Sequence, residues 1–149
     1  MIVLGLNAYH GDASACIFVD NKLVAAAEEE RFTRIKHSAG FPSNAIKYTL
    51  KYSNLTLADI DHIAINRNPK QKIIQKLLFA SKNVFRFDFI RNRLANLKKI
   101  NSLKEEFVKN FNETPKAKFH YIDHHTSHIA SSVYFSGFEN TNFISVDGF

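Results

Sequence analysis

Three of the seven histidines, His124, His125 and His128, crowd into the stretch YIDHHTSHIASSVYF (Tyr121–Phe135), with Asp123 directly before them. His124 and His128 stand at i and i+4, a spacing that puts both rings on one face of a helix with Cβ atoms about 6 Å apart, near enough to grip one metal ion. The zinc-peptidase version of such a motif needs a glutamate after the first histidine as general base, and that position here is His125. A pair at helical spacing is equally compatible with ordinary hydrogen bonding at a helix start. From the pair alone both readings stay open.

These residues need a fold to hold them. At 149 residues with 45% hydrophobic content, 14 Phe and 5 Tyr, the chain is a single globular domain with a core, not a disordered segment. The one cysteine, Cys16, lies in the apolar run ASACIF, which excludes an internal disulfide and suits a small core residue in a reducing compartment. The opening MIVLGLNAYHGD has no cationic leader, and its apolar run is too short for a secretory signal or a membrane span, so a soluble cytoplasmic protein is expected. The formal charge of +6 is uneven: Arg67 to Lys118 holds 14 Lys and Arg against 4 Asp and Glu, while the remainder holds 6 against 10. The basic character therefore belongs to one segment, and outside it the electrostatics give no reason to expect nucleic acid.

Apolar runs at Met1–Asn7, Ala13–Asp20 and Lys22–Glu30, separated by AYHGD and by the turn around DNK, read as an antiparallel meander. Pro42 and Ser43, followed by Ile46 and Leu50 at i and i+4, predict a helix, and DIDHIAIN predicts a strand at His62 to Asn66. A lysine-rich helical insertion is expected over about 69–112, with KFHYID as the next strand, the histidine segment as a helix, and NFISVD as a last strand opening a second subdomain at about 142–149. The order βββαβ(α)βα is an α/β, ribonuclease-H-like layout of the kind used in the actin, hexokinase and Hsp70 ATPase superfamily, with a second unit truncated at the end of a fragment.

Gly5 to Leu50, Asp123 to Phe138 and the terminal SVDGF together resemble the amino-terminal, Kae1-like part of the nodulation and antibiotic-tailoring O-carbamoyltransferases. The resemblance implies an actin-type domain that binds nucleotide and a divalent metal, iron by analogy. Such a domain passes a carbamoyl group from carbamoyl adenylate to a small-molecule hydroxyl acceptor, while a separate YrdC-like domain makes the adenylate from carbamoyl phosphate and ATP. Motif by motif, it implies His124, His128 and Asp147 as metal ligands. It places Asn7, His10 and Asp12, in the turn between the first two strands, against phosphate, metal or carbamoyl oxygens. It makes Lys36 a contact for the carbamoyl or adenylate phosphate, a task suited to a flexible ammonium. His10 and Lys36 are the catalytic candidates.

Blander readings stand beside these. The hairpin turn could be merely polar, with Gly11 supplying its conformation; EEERFTRIKHSAGFP could be a solvated charge run in which Arg31 braces the loop through Glu28 or Glu29; Asp123 and His125 could serve behind the ligands. Two other functions remain: a nucleic-acid-binding module using the basic helices, whose FRFDF aromatics could stack on bases, and a nucleotide-binding kinase of the same fold, whose Gly-rich phosphate loop is missing from the first hairpin.

Overall fold

Alternating side chains set the sheet. In β1 (Ile2–Asn7), Leu4 and Leu6 are buried on one face while Gly5 and Asn7 face the other way. The computed structural model of the chain describes residues 1–67 and 103–146. Within them β1 pairs antiparallel with β2 (Ser14–Val19), which pairs antiparallel with β3 (Lys22–Glu28). On its other side β1 pairs in parallel with β4 (His62–Ile65), and β4 in parallel with β5 (Lys118–Tyr121), giving the sheet order β3-β2-β1-β4-β5. The β2–β3 turn puts Asp20 (φ 48°) and Asn21 (φ 64°) in the left-handed region, the two-residue geometry that matches strand twist.

A one-turn helix α1 (Glu30–Thr33) leads into α2 (Ser43–Tyr52), which buries Ala45, Ile46, Thr49 and Leu50. After β4 the described chain resumes with α3 (Leu103–Phe111), whose Leu103 and Phe107 are buried at i and i+4. Helices α2 and α3 join Leu4, Leu6, Ile17, Ile63 and Ile65 in one core. The Phe107 ring stands 5.1 Å from Phe41 and 6.2 Å from Phe119, centre to centre. Each fully buried side chain of this size contributes about 1.5–3 kcal/mol over its exposed state.

The opposite face is built from small residues. Gly5 pairs with Cys16 and Ala64, and Cys16 with Ala26. A Cβ on Gly5 would stand 2.7 Å from Cys16 Sγ, which explains glycine there. Over this face lies α4 (His124–Ser136), its Tyr134 ring 5.9 Å from Phe18, ended by Gly137 at φ 71°. Gly5, Cys16, Ser127 and Ser131 help to line a cavity of about 880 Å³.

NFISVD was expected to be a strand, yet residues 142–146 have no regular structure, with Ile144 and Val146 90% and 88% exposed. Apolar content without a neighbouring strand makes no ladder. Of the helical insertion expected at 69–112, only α3 falls within the described residues. No helix among the described residues is long and apolar enough to cross a membrane.

Candidate functional site

Helix α4 begins where Asp123 leaves the β5 path in an extended conformation, and its carboxylate accepts the Thr126 N–H at 3.1 Å. That is an N-cap. It fixes the first turn, and thereby His124, so that His128 on the next turn brings its Nε2 to 3.1 Å from His124 Nε2, with ring centres 4.5 Å apart. Two nitrogens bound to one metal at about 2.1 Å stand roughly 3.0–3.4 Å apart for octahedral or tetrahedral angles. The pair fits a shared cation, and imidazole suits iron or zinc. His125 turns elsewhere, its Nδ1 2.8 Å from Ser145 Oγ.

The β1–β2 connection, residues 8–13, reaches the same place. His10 stacks beside His124 with ring centres 5.3 Å apart, its Nδ1 facing the Gly11 carbonyl at 3.4 Å. The turn conformation does not rest on Gly11: the left-handed residues are Tyr9 (φ 60°) and Asp12 (φ 62°). A bulky residue in that region is a true outlier. Tyr9 is held there by its neighbours, its N–H donating to Gly40 O at 2.9 Å and its carbonyl accepting from Arg67 Nη1 at 2.8 Å. Its ring is partly buried against the core, and desolvation first, then the Glu106 carboxylate, pushes the phenol well above its ordinary range. Asn7 braces the loop from inside, its Nδ2 donating to Gly11 O at 3.1 Å and Asp12 O at 2.8 Å, while its Oδ1 accepts from Asn66 at 3.0 Å.

The loop between α1 and α2 docks onto this connection. Ala13 N–H donates to Ser38 O at 2.9 Å, and His37 Nδ1 lies 2.9 Å from Asp12 Oδ1. Lys36, next in sequence, is exposed in the turn. Glu29 anchors the base: only 5% exposed, its carboxylate accepts Asn44 N at 3.2 Å, Asn44 Nδ2 at 2.7 Å and Ala45 N at 2.9 Å. It thus satisfies first-turn donors of α2, which Pro42 leaves uncapped. Arg31 pairs at 3.6 Å with Glu28, not with Glu29. Cys16 is inert by environment, burial raising its thiol pKa.

The structure therefore gathers His10, His124 and His128, and docks the Lys36 loop on the connection that carries His10 and Asp12, with Asn7 bracing it from the end of β1. Asp147 lies outside the described residues, among which no group of three or more His, Cys, Asp or Glu has the geometry of a complete metal site. Sequence reasoning missed His37, Asn66 and the capping role of Glu29. None left a local signal, since Glu29 reaches the start of α2 from thirteen residues before Pro42.

Known proteins resemble this chain along most of its length. An uncharacterised protein of Synechocystis sp. is 32% identical over 98% of this chain and 25% of its own length. Nodulation protein NolNO of Sinorhizobium fredii is 32% identical over 95% of the chain and 20% of its own length. An uncharacterised 19.2 kDa protein of Rhizobium etli is 41% identical over 39% of the chain. The chain thus spans a fifth to a quarter of the first two relatives. The family described as Carbamoyltransferase N-terminus matches residues 2–149, and the chain belongs to that family.

Proposed function

We propose that this chain supplies the metal- and phosphate-facing wall of a carbamoyltransferase site, in which a carbamoyl group passes from carbamoyl adenylate to a hydroxyl acceptor. The carrying observation is the convergence of His10 on the His124–His128 pair, whose ε nitrogens stand 3.1 Å apart. Supporting it, the sheet order with β2 alone antiparallel to its neighbours suits a ribonuclease-H-like unit, and family membership implies carbamoyl transfer.

His124 and His128 would hold a divalent metal, with Asp147 as a third ligand; iron is the metal the resemblance implies. Bound there, it would supply Lewis acidity and a template for phosphate or carbamoyl oxygens. The chain's own groups divide the remaining work. With Nδ1 turned to the Gly11 carbonyl, His10 keeps Nε2 free to take the acceptor's hydroxyl proton. The hydroxyl oxygen then bonds to the carbamoyl carbon, the bond from that carbon to the phosphate oxygen breaks, and AMP leaves with the electron pair. Lys36 Nζ binds the phosphate, and Asp12 and Asn7 set the loop that presents His10.

The test uses the full-length protein with ATP, carbamoyl phosphate, divalent iron and a panel of hydroxyl acceptors. Wild type should carbamoylate an acceptor, and His10→Ala should lose about 10²-fold or more in that step, the usual scale of a general base. Full activity in His10→Ala would remove the residue from the mechanism.

A further inference from the structure

The two loops that meet at the candidate site are joined by three contacts. Two are backbone bonds, Tyr9 N–H to Gly40 O and Ala13 N–H to Ser38 O, each 2.9 Å. The third adjoins the Ala13–Ser38 bond and joins side chains: His37 Nδ1 to Asp12 Oδ1 at 2.9 Å. We propose that His37 is a positioning residue for carbamoyl transfer, clasping Asp12 so that the turn carrying Lys36 is fixed against the connection carrying His10. The inference rests on the functional reading above and assigns a role to a residue outside that reading.

Three observations carry it. Both clasp residues take left-handed backbone, Asp12 at φ 62° and His37 at φ 53°, which puts each in a turn whose direction the other secures. Aspartate and histidine are among the few side chains that tolerate that region. Both are exposed, 55% and 79% at the side chain, and neither belongs to the buried core. The clasp therefore governs where the loops sit rather than whether the sheet folds. Finally, Lys36 makes no hydrogen bond or ion pair of its own among the described residues, so the placement of its ammonium follows from the backbone of the adjoining residue.

The geometry also fixes the chemistry of the clasp. To donate to a carboxylate, His37 Nδ1 must carry a proton, so the ring is the Nδ1–H tautomer or the imidazolium. An asparagine presents an amide N–H at nearly the place of Nδ1, and an alanine presents nothing.

The experiment compares His37→Ala and His37→Asn in the full-length protein, following pyrophosphate release and acceptor carbamoylation separately. In His37→Ala carbamoylation should fall about tenfold with pyrophosphate release within about twofold of wild type, and His37→Asn should recover to within about threefold. Unchanged carbamoylation in His37→Ala, equal loss in both half-reactions, or an Asn variant as poor as Ala would overturn the proposal. Hydrogen exchange at the Ala13 amide reads the clasp without turnover: it should quicken in His37→Ala and not in His37→Asn. A wild type that transfers no carbamoyl group while its exchange shows this pattern would refute the functional reading and leave the clasp intact.

Discussion

Glu29 sits in the middle of three consecutive glutamates, and it alone of the three is buried. A run of acids reads as a solvated face because identical side chains carry no mark of which one turns inward. The choice is made by α2, whose first-turn N–H groups have no side-chain cap from Pro42 and donate to the Glu29 carboxylate instead. Glu29→Gln keeps the shape but sets an amide NH₂ against N–H donors, so it should destabilise the start of α2 by about 1–3 kcal/mol, the cost of an unmet buried donor. Hydrogen exchange at the Asn44 and Ala45 amides should show that loss locally. Tyr9 and Asp12 were equally hidden: Gly11 is the obvious turn residue, yet the left-handed positions flank it.

At the scale of elements, periodicity did most of the work. Ile46 and Leu50 mark α2 and both are buried, and apolar runs broken by turn residues located β1, β2 and β3 within a residue or two. The stretch around NFISV has apolar residues that satisfy a strand pattern, but among the described residues no strand pairs with it. The packing of strand on strand was not legible at all. Nothing in GLN says that Gly5 must leave room for Cys16, since the contact depends on the β1–β2 register. Gly5→Ala should therefore cost about 1–3 kcal/mol of stability by overpacking, and adding Cys16→Ala should recover much of it. A double-mutant cycle measures that coupling, and strictly additive effects would refute the close contact.

Across the whole molecule, the candidate site joins the two ends of the described chain. The spacing of His124 and His128 was visible in the sequence, because one helical turn is a local rule. The approach of His10 to His124 was not, because it follows from β1 lying centrally in the sheet, with its C-terminal end beside the start of α4. The Carbamoyltransferase N-terminus family matches the chain over residues 2–149, which takes in both His10 and the His124–His128 pair. The central claim is that the pair is a metal cradle and not two imidazoles sharing a proton. Both readings accept ε nitrogens 3.1 Å apart, so only the cation separates them. The direct measurement is metal content by elemental analysis of the full-length protein, purified in parallel as wild type, His124→Ala and His128→Ala. The account predicts near-stoichiometric divalent metal in wild type and a loss of about tenfold or more in occupancy at limiting metal in each variant, since each removes one ligand. Equal metal content in all three proteins would contradict it.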